Sequence, residues 1–243
     1  MKGRVKMKIL AIESSSGSLS CAVCEKENVL ATFCVATGLK HSQTLMVLIE
    51  DMFKIAKIDL NQIAAVAVSV GPGSFTGLRV GLAAAKGIAF GLKIPCLGVE
   101  TLNALAHNLK CVDGIVCPVL DARRDRVYTA LYRFYANEDL EKVIIKDCVL
   151  DITSLKNNLF EFKENVYLVG DAAKKCYDLF KEKSNIKLAP SYLMNPQAKV
   201  VASLAYEEIK LNGLLEKEVS LKYLQLSQAE RERKEKLEKE VER

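Results

Sequence analysis

Residues Ile63 to Leu92 read IAAVAVSVGPGSFTGLRVGLAAAKGIAFGL, an apolar run, a glycine-rich turn and a small-residue helix in unbroken succession. Ile63 to Val70 is nearly all Ala, Val and Ile, the composition of a strand covered on both faces. Gly71-Pro72-Gly73 can continue neither strand nor helix. Ser74 or Thr76 can cap the helix that follows, which the pattern predicts over Arg79 to Leu92. A phosphate could in principle use the N–H groups at such a turn. The spacing of Gly71, Gly73 and Gly77, however, is neither the dinucleotide fingerprint nor a P-loop, whose Lys-Ser/Thr pair is missing. Gly77, Gly81, Ala84, Ala85 and Ile88 fall on one helical face, which points instead to unusually close packing, extended to a helix of a partner.

The rest of the chain is read outward from this unit. With 243 residues, 50% hydrophobic and 27% charged, it has the composition of an ordinary soluble globular protein able to bury a sizeable core. A net charge of +5 without a basic, aromatic-interleaved block excludes a dedicated nucleic-acid module. The eight cysteines are scattered, mostly in apolar surroundings, and Cys21-Ala22-Val23-Cys24 lacks the second pair or nearby histidines that a zinc site needs. The basic start is followed by an apolar stretch too short for a signal peptide or a spanning helix, so a cytoplasmic location without membrane contact is expected; Met7 is an alternative start.

Strands are predicted at Met7 to Ile12, Leu19 to Glu25 and Val29 to Val35, then a helix from Gln43 to about Lys57 capped by Ser42. Leu45, Leu48, Ile49, Met52, Phe53 and Ala56 form its apolar stripe, which Met46 and Ile55 widen toward a second covered surface. After the opening unit come a strand at Pro95 to Val99 and a short helix at Thr101 to Leu109. Asp113-Gly114 marks a boundary, and the pattern restarts: strands at Ile115 to Leu120, Arg126 to Tyr135 and Lys142 to Val149, then Ile152 to Phe160, Val166 to Val169, Ala172 to Lys183 and Ala198 to Leu211 as helix, strand, helix, helix. Two α/β lobes in tandem, residues 1–109 and 110–227, are implied, with a cleft between them. A charged helical tail, 228–243, carries i,i+4 pairs such as Glu230 with Lys234.

Four segments now carry a family resemblance: ILAIESSSGSLSCAV, KHSQTLMVLIEDMF, VSVGPGSFTGLRVGLAAAKGIAFGLKIPCLGVETL and VLDARRDRVYTALY. Together they resemble the TsaB (YeaZ) family, bacterial partner proteins of tRNA threonylcarbamoyladenosine synthesis. VGDAA, NPQAKVVASLA and YLQLSQAE add weaker matches, with Gln225 where the family pattern has Arg. The resemblance implies an α/β fold of two tandem lobes of the actin, Hsp70 and sugar-kinase type, each a mixed sheet with flanking helices. It also implies a non-catalytic subunit that pairs with a TsaD-type subunit. That subunit moves a threonylcarbamoyl group onto the adenosine 3′ of the anticodon in ANN-decoding tRNAs, and a TsaE-type ATPase completes the assembly. No cofactor or metal is expected. TsaD-like enzymes use two histidines at i and i+4, whereas His41 here is followed by Leu45 and His107 is far away. A metallopeptidase reading has no H-E-x-x-H to rest on.

Candidate partner-binding residues are His41, Leu45, Leu48, Ile49, Met52, Phe75, Arg79, Leu82 and Lys86, on two apolar helices that a matching pair from the TsaD-type subunit or from a second copy would complete. Glu13, Ser14 and Ser15 are candidates for a residual nucleotide contact. The alternative activity, an ATP-dependent transferase or kinase, would use Glu13 and the cleft with Arg123 and Arg124 clamping phosphate. Arg79, Lys86 and Lys93, seven residues apart, with Arg123 and Arg124, are candidates for direct RNA contact; otherwise tRNA is met only through the complex.

Overall fold

Lys8–Glu13 (β1) can occupy the middle of a sheet because both its faces are apolar. Leu10 and Ile12 point into one core and Ile9 and Ala11 into another, all four buried. A computed structural model describes residues 7–135, 141–214 and 218–225. In it, Leu19–Glu25 (β2) and Asn28–Val35 (β3) fold back on β1 as antiparallel neighbours. Ile63–Gly71 (β4) and Cys96–Glu100 (β5) extend the sheet in parallel on the other side, giving the order β3-β2-β1-β4-β5. Parallel neighbours need crossovers, supplied by helices His41–Ala56 (α1) and Phe75–Leu92 (α2).

After Thr101–His107 (α3), the second half repeats this plan strand for strand. Gly114–Asp121 (β6) is central, Arg126–Phe134 (β7) and Glu141–Asp151 (β8) pair antiparallel beside it, and Val166–Val169 (β9) and Ile186–Leu188 (β10) pair parallel. The order β8-β7-β6-β9-β10 matches that of the first sheet. Ile152–Phe160 (α4) and Ala173–Phe180 (α5) cover one face. This duplicated mixed sheet is the actin, Hsp70 and sugar-kinase type of fold.

Two helices depart from a division of the chain at residue 109. Ala198–Asn212 (α6) packs Ala198, Ala202 and Ala205 onto Ala11, Ala22 and Ala67 of the first sheet, alanine on alanine, opposite α1 and α2. The sequence order had assigned it to the second lobe. Leu102, Leu105 and Ala106 of α3 pack against Val116, Leu120 and Tyr132 of the second sheet, while its Ala104 packs with Ala65, Ala67 and Leu97 of the first, so α3 lies between the two sheets. Chain adjacency predicts neither placement, because each helix lies wherever apolar faces are on offer.

Local differences have equally local causes. Helix α2 starts at Phe75, four residues before Arg79, because Ser74 accepts the Gly77 N–H at 3.2 Å as N-cap. Ser42 lies inside the first turn of α1, whose N-cap is Lys40. The three-residue β10 was too short to announce itself. Cys21 and Cys24 sit on opposite faces of β2, as an odd spacing on a strand requires, so they cannot share a ligand. Burial pushes their thiols up to about 12 and about 11. Residues 228–243 lie outside the described residues.

A candidate docking face and an inter-lobe cleft

The cleft is formed by corresponding turns of the two lobes. Ser15 to Gly17 and Pro72 to Thr76 face Leu120 to Arg123 and Asp171 across about 750 Å³, with His41, Tyr128 and Lys222 to Gln225 completing the walls. Glu13, at the end of β1, lies beneath this space and is fully buried. Its Oε1 accepts the Ser15 N–H at 2.6 Å and the Ser15 hydroxyl, and its Oε2 accepts the Ser69 hydroxyl. Burial raises its pKa, against the lowering effect of those three hydrogen bonds. Both oxygens are therefore engaged within the first lobe. Ser14 is buried as well and donates to Gly77 O at 2.9 Å. Of the nucleotide candidates, only Ser15 borders the cleft.

The glycine turn is stitched to the β1–β2 turn rather than held open. Ser74 N–H donates to Ser15 O at 2.7 Å, and Gly77 N–H to Ser74 Oγ. A methyl at Gly77 would run into Ser14 O, and one at Gly81 into Ser14 Oγ. The close approach read from these glycines is real, but it is made to the chain's own turn, not to a helix of a partner. His41 serves the same junction. Its Nε2 lies 3.1 Å from Ser16 O and 3.3 Å from Ser18 O, and two carbonyl acceptors require that nitrogen to carry the proton. At the tip of the β6–β7 hairpin, Arg123, Arg124 and Asp125 have φ of 67°, 54° and 54°, left-handed conformations that each cost about 1–2 kcal/mol. Arg123 thereby borders the cleft, and Asp121 N–H donates to Asp171 Oδ1 at 2.8 Å beside it.

The partner-binding candidates separate into two sets. Leu45, Ile49 and Met52 are buried against the first sheet and cannot meet another chain. The apolar stripe that selected them marks the inner face, because burial against the sheet is what produces such a stripe. Leu48, Phe75 and Leu82 are half-buried, whereas Arg79, Lys86 and Lys93 are exposed along α2. The outer face carries apolar residues of its own: Met46 (52% exposed), Val47 (56%) and Ile55 (68%) on α1, and Phe90 (88%) on α2. Gly87, also on α2, meets nothing within 4 Å. The widening of the α1 stripe at Met46 and Ile55 was the sequence signal for this face; Val47 and Phe90 gave none. Helix α2 is by length and composition apolar enough to cross a membrane. Its Leu78, Gly81, Ala85 and Ala89 face is nevertheless buried within the fold.

Among the described residues, no three His, Cys, Asp or Glu side chains gather in a way that could hold a metal ion. Comparison with known proteins adds a family. The profile of the family described as TsaD, tRNA N6-adenosine threonylcarbamoyltransferase, matches residues 36–232. The chain is 36% identical over 138 residues to the tRNA threonylcarbamoyladenosine biosynthesis protein TsaB of Bacillus subtilis, covering 57% of this chain and 60% of that one. It is 33% identical over 150 residues to the protein of the same name from Escherichia coli, covering 59% and 64%. The matches thus span less than two thirds of either relative. A Pseudomonas aeruginosa structure, described as an uncharacterized protein with similarity to peptidase YEAZ, superposes with a TM-score of 0.76 at 24% identity over 90% of this chain and all of its own.

Proposed function

Since the chain belongs to the TsaD-type threonylcarbamoyltransferase family, and within it to the TsaB/YeaZ group, we propose that it is a non-catalytic partner subunit in tRNA threonylcarbamoyladenosine synthesis. It docks a TsaD-type subunit through the outer face of α1 and α2 and so supports transfer of the threonylcarbamoyl group to the adenosine 3′ of the anticodon. The observation that carries this reading is the solvent exposure of Met46, Val47, Ile55 and Phe90, large apolar side chains on two helices that pack on one face of one sheet. A TsaE-type ATPase and tRNA are met through the complex, in the cytoplasm, away from the membrane. A second copy can use the same face when the partner is absent. The alternative, an ATP-dependent transferase working in the cleft, is disfavoured by Glu13, whose two oxygens already hold Ser15 and Ser69.

The test is reconstitution of tRNA modification by the TsaD-type subunit with and without this chain, alongside turnover by the chain alone. Modification that depends on the chain, with no turnover in isolation, is the expected result. ATP turnover by the isolated chain would instead favour the cleft enzyme.

A further inference from the structure

Gly71, at the end of β4, and Gly98, inside β5, both lie against one segment, Val219 to Lys222. A methyl on Gly98 would meet Val219 Cγ1 at 3.0 Å as well as Val70 Cγ1 at 2.7 Å, and one on Gly71 would lie 2.7 Å from Lys222 O. The segment thus passes within contact distance of the first sheet's backbone at two points. Val219 is buried in the first lobe's core, and Lys222 N–H donates to Val70 O at 2.8 Å. From that seat, Lys222 Nζ reaches Glu100 Oε1 at the end of β5, 2.8 Å away, and Asp147 Oδ2 on β8, 3.3 Å away. Glu100 belongs to the first sheet and Asp147 to the second, so one ammonium group joins the two lobes.

Asp147 needs this partner. Its side chain is only 3% exposed, and among the described residues the other donor to it is the Tyr132 hydroxyl at 3.2 Å. Without Lys222 it would be a buried carboxylate facing Glu100, an arrangement far more costly than a loose surface pair. The next residue continues the same path. Tyr223 packs on Phe75 with centroids 5.0 Å apart, and its hydroxyl accepts from Arg79 Nε at 3.2 Å. Lys222 and Tyr223 both line the cleft, so the segment lies where the lobes would part.

We infer that Val219 to Tyr223 is an intramolecular clasp: Val219 and the Lys222 backbone fasten it to the first lobe, and Lys222 Nζ bolts it to the second, fixing the width of the cleft. This stands on the chain's own contacts and is independent of the partner reading.

The test is hydrogen exchange and small-angle scattering on the full chain, comparing wild type with Lys222→Met and with Lys222→Met/Asp147→Asn. The clasp predicts at least ten-fold faster exchange in Lys222→Met within the strap and also in the turns on both sides of the cleft, at 15–17 and 120–123, with an increased radius of gyration. The double variant removes the stranded carboxylate, so it should regain thermal stability yet keep the fast-exchanging cleft and larger radius. It also supplies the readout if Lys222→Met alone fails to fold. Faster exchange confined to 218–225, with unchanged scattering in the folded variants, would overturn the clasp and leave a tail that merely rests on the surface.

Discussion

Strands β1–β5 and β6–β10 follow one strand order, yet the helices outside the two sheets present different surfaces. On the first lobe, α1 and α2 leave Met46, Val47, Ile55 and Phe90 in solvent. On the second, the α4–α5 layer carries the ion pairs Lys156–Glu182 and Lys174–Asp178, and Leu179 is the large apolar side chain it exposes. The ends of the two central strands differ as well. Glu13 closes β1 fully buried and hydrogen-bonded to two serines, whereas Asp121 closes β6 in solvent. The inner faces that make the fold are therefore alike, and what distinguishes the lobes lies on outer faces and at strand ends.

The largest losses are expected on the inner faces, where the lobes are alike. Met52→Ala on α1 should cost about 2–5 kcal/mol and Phe180→Ala on α5 about 3–5 kcal/mol, since both side chains are fully buried. Urea denaturation reads these values. A loss below about 1 kcal/mol at Met52 would mean that the inner face of α1 is not core. The two faces of α2 come next. Gly81→Ala pushes a methyl into Ser14 Oγ and should cost about 1–3 kcal/mol, while Gly87→Ala faces open space and should stabilise by up to about 1 kcal/mol through helix propensity. Equal effects at both positions would contradict the assignment of faces.

The smallest effect concerns Glu13. Its folded pKa is raised by burial, so the native state holds its proton more tightly than the unfolded chain does. Stability then falls as pH rises from the ordinary glutamate range through the raised value. Glu13→Gln, which can keep the acceptor for the Ser15 N–H, should flatten that slope. Chemical denaturation across pH 4 to 8 checks it, and an unchanged slope would locate the pH dependence elsewhere.

Much of this architecture was legible in the sequence. The β4 run, the Gly-Pro-Gly break and the restart after Asp113-Gly114 gave the duplicated plan because burial on both faces and turn chemistry leave strong local marks. Sheet membership of α3 and α6 was not legible, since an alanine face says that a helix packs closely without saying on which sheet. Three of the residues offered for the proposed docking face proved to be buried for a related reason. Leu45, Ile49 and Met52 form the periodic stripe, and periodicity reports the neighbour that is always present, the sheet. Exposed residues such as Val47 and Phe90 obey no such pattern. The strap was invisible because Gly98, Lys222 and Asp147 become related only once the chain has folded.

If, as proposed, the outer face of α1 and α2, and not its counterpart on the second lobe, binds a TsaD-type subunit, charge placed on that face alone should break the complex. Titration calorimetry of that subunit against wild type, Val47→Arg/Phe90→Asp and Leu179→Arg tests it directly, with thermal melts confirming that each variant is folded. Val47→Arg/Phe90→Asp should lose at least about thirty-fold in affinity at unchanged stability, while Leu179→Arg should bind as wild type does. Wild-type affinity in Val47→Arg/Phe90→Asp, or loss of binding in Leu179→Arg, would contradict it.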